Sequence, residues 1–117
     1  MFIAPPGITF IITDSLTADP GAVQAGATPL IAGNMNNITN APATGSVLLP
    51  PAVGGGKCTA VTNVSNIDSV GNTCIVFPRP GERISSNAPN AGQNITLGRS
   101  QYYVDIRPGV WSGPLTA

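Results

Sequence analysis

Histidine is absent from this 117-residue chain, and charge is scarce: five basic and five acidic residues make up 9% and cancel to zero. Without an imidazole, Ser-His-Asp and Cys-His catalysis and most zinc sites are excluded. Ordinary soluble domains carry about 25% charged residues. Neither a basic patch nor an acidic one steers the chain to nucleic acid or to an anionic membrane. The acids, Asp14, Asp19, Asp68, Glu82 and Asp105, are scattered, so the sequence offers no carboxylate pair of the glycosidase kind. Aromatics are also few: Phe2, Phe10, Phe77, Tyr102, Tyr103 and Trp111. A stacking platform for sugars or bases wants several on one exposed face. Tyr103 is the best exposed candidate, and its plainer reading is a cross-strand packing partner. No run of about 18 apolar residues is present to form a transmembrane helix. MFIAPPGITFII has no Lys or Arg ahead of its apolar part, so a secretory signal is not expected, and the Asn-x-Ser/Thr triplets at Asn37, Asn63 and Asn94 are discounted as glycan sites.

Cysteine is limited to Cys58 and Cys74. They read as two buried small apolar residues or as a bridge across neighbouring strands, and the offset of the intervening turn argues against the bridge. Two thiolates without histidine make a poor metal site. Gly54-Gly55-Gly56-Lys57 is half of a phosphate loop, but the glycine spacing is wrong and Cys58 stands where Ser or Thr belongs. Catalytic, cofactor-binding and metal-ligating residues are therefore not expected.

What the chain has is apolar content, 42%, and abundant punctuation, with 14 glycines and 12 prolines spread throughout. No segment carries an uninterrupted helical stripe. Seven to ten short strands, spaced by roughly ten residues, predict an all-β single domain: a β-sandwich, a jelly-roll-like fold or a small barrel of short antiparallel strands. Residues 1–13 read as an extended N-terminal arm with a first strand, ITFIIT, and residues 14–117 as the β domain. Asp19-Pro20-Gly21 is a turn signal. Ser46–Leu49 is a strand stopped by Pro50-Pro51. Lys57–Val64 and Thr73–Phe77 read as a hairpin. Arg83–Ser85 reads as a short edge strand and Ile95–Leu97 as another strand. Gln101–Arg107 has a clear period of two, with Tyr102, Val104 and Ile106 on one face and Gln101, Tyr103, Asp105 and Arg107 on the other. Val110 and Trp111 are expected to cap the core.

The stretch CIVFPRPGERI, residues 74–84, concentrates charge on a neutral chain. Pro78 and Pro80 stop a strand, Gly81 supplies the backbone angle of a corner, and Arg79, Glu82 and Arg83 read as its solvated tip. The alternative is a loop that docks a partner.

The order of elements carries a resemblance. It runs through a Val-Leu-Leu-Pro strand (Val47–Pro50), a glycine turn, a Val-x-Asn strand (Val61, Asn63), an apolar-aromatic-Pro-x-x-Gly-x-x-Ile segment (Val76–Ile84), an Asn-containing loop (Asn87–Asn94) and a Leu-Gly turn (Leu97, Gly98). Residues 27–107 thereby resemble a small β-rich module of virion structural proteins in tailed bacteriophages. Residues 1–26 match no part of that pattern. The resemblance implies a non-enzymatic protein, trimeric, of the head decoration (cement), head-fibre or tail-fibre type. A short chain with an apolar arm favours decoration. On that reading the partners are a second and third copy of the chain and a major capsid protein, and the location is the capsid surface, after synthesis in the host cytoplasm. Phe2, Ile3, Ile8 and Phe10 are the expected arm contacts, with Arg79, Glu82 and Arg83 as further capsid or subunit contacts. The rival is a tail- or fibre-associated host-recognition module using loops such as Asn34–Gly45 or Ser85–Gln93.

Overall fold

The computed structural model describes residues 11–21, 23–40, 44–63, 73–95 and 100–116. The arm positions Phe2, Ile3, Ile8 and Phe10 lie outside them. The described residues form ten strands: β1 (Ile11–Thr17), β2 (Thr28–Pro29), β3 (Asn34–Asn40), β4 (Thr44–Leu48), β5 (Cys58–Asn63), β6 (Thr73–Phe77), β7 (Arg83–Ile84), β8 (Gln93–Ile95), β9 (Ser100–Arg107) and β10 (Val110–Thr116). No helix occurs among the described residues.

The all-β expectation holds, but the architecture is neither sandwich nor barrel. The chain winds as a β-solenoid of about three turns. From β1 to β6 successive strands alternate between two sheets, and each coil contributes one strand to each. β1, β3 and β5 stack in parallel, as do β2, β4 and β6. The proline, glycine and asparagine corners deflect the chain onto the other sheet instead of reversing it beside the preceding strand. Turn residues alone do not distinguish these outcomes, and the expected antiparallel pairing is corrected accordingly. The expected hairpin of β5 and β6 is corrected for the same reason: β5 pairs with β3 and β9, and β6 with β4 and β8, in different sheets.

After the third coil the direction changes. β8 runs antiparallel to β6 and β9 antiparallel to β5, so both sheets continue past the coils with reversed strands. β10 pairs with β9, and the short β7 forms the far edge beside β10, as an edge strand there was expected to. The resulting orders are β1-β3-β5-β9-β10-β7 and β2-β4-β6-β8.

The core lies between the two sheets. Ile38, Val61, Tyr103 and Trp111 come from the larger sheet, and Val47, Cys74, Val76 and Ile95 from the smaller. Each fully buried aliphatic side chain contributes about 1.5–3 kcal/mol. Trp111 and Val110 join this core as expected. One polar side chain is buried with them for a structural purpose. The Asn36 Oδ1 accepts from Ile31 N at 2.9 Å, while its Nδ2 donates to Ala60 O at 3.0 Å and to Ile31 O and Asn34 O at 3.2 Å. One amide thus satisfies the corner between β2 and β3 and ties it to the next coil, so its burial is compensated.

The alternation of β9 is as expected, and the buried face is the polar one. Gln101, Tyr103 and Asp105 point inward, and Ile106 is 50% exposed. Tyr103, the candidate for an exposed platform, is fully buried opposite Thr59. Its hydroxyl donates to Gln101 Oε1 at 3.0 Å. Hydropathy would place Val104 and Ile106 inside, but Gln101 Oε1, the Tyr103 hydroxyl and both Asp105 oxygens have partners, which removes much of the cost of burying them.

Cys58 and Cys74 are free thiols in different sheets, Cys74 buried and Cys58 half-buried. Burial pushes the Cys74 thiol up to about 12 and the Cys58 thiol up from its ordinary range. Burial also raises the Tyr103 phenol, with a smaller contribution from the neighbouring Cys74.

Two outcomes follow. Tyr103→Ala should lose about 3–5 kcal/mol in urea denaturation, as large aromatic truncations in cores do, while Ile106→Ala should stay within about 0.5 kcal/mol. Because the unfolded Cys74 thiol ionises near 9 and the folded one near 12, the unfolded state loses its proton first. Stability should fall as pH rises through that window, and Cys74→Ala should flatten the fall in denaturation curves recorded between those pH values.

Candidate functional site

The charged residues converge on one passage of backbone. Between β4 and β5 the chain runs through Leu49-Pro50-Pro51-Ala52-Val53-Gly54, where the two prolines carry no N–H and no continuous ladder is available. The remaining polar groups are met by side chains from distant strands. Arg79 Nε donates to Leu49 O at 3.0 Å, and Trp111 Nε1 donates to Pro50 O at 3.1 Å. The Glu82 carboxylate accepts from Ala52 N at 3.0 and 3.3 Å. Asp105, 2% exposed, accepts from Val53 N at 2.9 Å and from Gly54 N at 2.7 Å through separate oxygens. Backbone groups complete the set: Leu49 N donates to Phe77 O, Gly109 N to Ala52 O and Gly56 N to Asp105 O. Hydrogen bonds to charged partners are worth about 1.5–3 kcal/mol each, roughly twice neutral ones.

CIVFPRPGERI is therefore a corner, as its prolines and glycine indicated. Glu82 N donates to Arg79 O at 2.9 Å, closing a turn with Pro80 and Gly81 at its centre, and Gly81 has φ +83°. A non-glycine residue would be strained there. The expectation of a solvated charged tip is corrected. Arg79, Glu82 and Arg83 are half-buried, and the first two turn inward onto the 49–52 backbone. The Arg83 Nε is buried with no hydrogen-bond partner among the described residues. The corner is braced from the first coil as well: Gln24 Nε2 donates to Pro78 O at 2.8 Å and to Asn90 Oδ1 at 3.2 Å, and the same Asn90 oxygen accepts from Gly81 N at 2.7 Å. The sequence signal for this role was the clustering of Arg79, Glu82 and Arg83 on a chain that otherwise carries almost no charge. What linear spacing did not reveal is that Asp105, Trp111 and the corner meet on one loop.

The clamped passage forms one wall of a cleft of about 260 Å³. The buried Trp111 and Asp105 line it together with Pro50, Pro51, Val53 and Ala32. Lys57 also lines it and is exposed, and its ammonium has no hydrogen bond or ion pair among the described residues. Among the described residues no group of three or more His, Cys, Asp or Glu is placed to hold a metal ion.

A second surface lies at the opposite end of the solenoid from the antiparallel strands. β1 is the outer edge of its sheet, and Ile11 and Ile12 on it are 74% and 63% exposed. Val23 and Ile31, in the same coil, are also exposed.

No protein-family model matches the chain, and no curated protein or solved structure shows significant similarity to it.

The clamp predicts a specific sensitivity. Asp105→Asn keeps the size of the side chain but replaces one acceptor oxygen with an N–H donor facing a backbone N–H. It should cost about 1–3 kcal/mol, measured by urea denaturation, with accelerated amide hydrogen exchange at Val53 or Gly54.

Proposed function

We propose that this chain is a non-enzymatic structural protein of a virion, a capsid decoration protein that acts as a homotrimer and clamps neighbouring subunits of the shell. The observation that carries the reading is the asymmetry of the solenoid. One end finishes in strands that reverse direction, with the short β7 and β8 as its edges, and the other presents the seven-residue β1 as an edge strand bearing exposed isoleucines. An open edge is a template for an added strand, and a major capsid protein that supplies one would continue the sheet. The exposed apolar positions Ile11, Ile12, Val23 and Ile31 would then lose solvent on docking. The charged side chains Arg79, Glu82 and Asp105 are engaged in holding the scaffold, which supports a structural role over a chemical one. The near absence of net charge suits a protein that works within an assembly.

Binding only to the assembled lattice stabilises that lattice by mass action, with the gain set by free concentration over Kd. In this scheme Phe2, Ile3, Ile8 and Phe10 extend the contact begun by β1, and the corner around Arg79, Glu82 and Arg83 faces a subunit or the shell.

The stacking of coils along one axis favours a second reading, a tail- or fibre-associated module in which the same edge continues a neighbouring shaft. Labelled virions separate the two by location, head or tail.

Deleting residues 1–12, or introducing Ile12→Glu into the intact chain, should reduce occupancy on purified shells by more than about tenfold in co-sedimentation. Ile12 is exposed, so the point variant should fold with stability within about 0.5 kcal/mol of the parent. Unchanged occupancy in both variants would remove the edge as the docking element. Sedimentation of the free protein at several concentrations should give the mass of a trimer.

A further inference from the structure

We propose that the cleft over Trp111 is a binding site for a small apolar carboxylic acid. The argument is one of what the cleft has left to offer. Its walls offer few free donors. Trp111 Nε1 already donates to Pro50 O, Asp105 is an acceptor only, with one backbone N–H on each oxygen, and prolines 50 and 51 have no N–H. A polar body placed there would give up its hydrogen bonds to water without replacing them, whereas an apolar body would not.

The same bonds hold the walls in place before any ligand arrives, so little ordering is required on binding. Lys57 is the complement: its ammonium is exposed and has no partner among the described residues. It selects an anionic end on an otherwise apolar molecule. The negative charge of Asp105 is partly offset by the two backbone N–H groups that it accepts from. The volume of about 260 Å³ lies just below the range of drug-sized pockets, about 300–1,000 Å³, and fits one aromatic ring or a branched aliphatic chain with a short acid. The site is independent of the docking edge on β1.

The test is a titration of the intact chain followed by NMR, reading the Trp111 indole N–H and the Ala32 amide, with 3-phenylpropionate and its neutral isostere 3-phenylpropionamide. The acid should bind about threefold to tenfold more tightly than the amide, with the advantage shrinking as salt is raised. Lys57→Met, at an exposed position, should bring the acid down to the affinity of the amide and leave the amide unchanged. Equal affinities in the parent chain, a preference that survives in Lys57→Met, or the absence of a saturable shift at Trp111 and Ala32 would each overturn the proposal.

Discussion

The passage from Leu49 to Gly54 has to cross between the second and third coils carrying polar backbone that no continuous ladder can satisfy. Much of the rest of the structure answers that demand. Arg79 and Glu82, Asp105, and Trp111 reach it from three different segments, and between them they fasten the corner after β6, the inner face of β9 and the start of β10 to one loop. A chain with only ten charged residues has placed three of them here. The low dielectric around a half-buried loop makes such bonds stronger than their surface counterparts, and makes their loss more costly. The polar inner face of β9 follows from the same demand: Asp105 must point inward to reach Val53 and Gly54, and period two then carries Tyr103 and Gln101 inward with it.

Much of the strand content was legible because it rests on local signals. Proline pairs, glycine turns and the alternation of residues 101–107 act within a few positions, and they mark where strands stop. The direction of pairing is not local. Whether Thr73–Phe77 folds back on Cys58–Asn63 or proceeds to the other sheet depends on what the intervening residues can reach, and both outcomes use the same apolar strands. The inward face of β9 was hidden for a related reason. Hydropathy assumes that polar side chains are inside only at a cost, and here the partners that draw Asp105 inward lie about fifty residues away in sequence, at Val53 and Gly54. The turn at Pro80-Gly81 was readable; the inward direction of its charges was not, because Leu49 and Ala52 are distant in the chain. The candidate contact residues of the arm lie outside the described part, and the cleft over Trp111 had no linear signature at all.

The two ends of the solenoid differ in kind. Repeat-like coils bury their faces against neighbours, and terminal coils must be covered or find a partner. Here one end uses antiparallel strands of the same chain and the other displays isoleucine on an edge strand. That polarity gives the molecule a distinct front and back along its axis, which an assembly component can use and a freely diffusing monomer has no need of.

The strand order also constrains how the molecule is built. β7 precedes β9 and β10 in the chain, yet both lie between it and β5 in the finished sheet. β3 to β6 each pair with a strand that precedes them in the chain. β7 does not: it takes its final place only alongside β10, and β10 only alongside β9, so a gap two strands wide has to be filled by a hairpin that follows it in the chain. Pairings that span long stretches of sequence form slowly. A ribosome-bound chain lacking that hairpin would therefore hold an exposed β5 edge and an unanchored β7, and final closure would be a late, all-at-once insertion instead of the addition of one more coil.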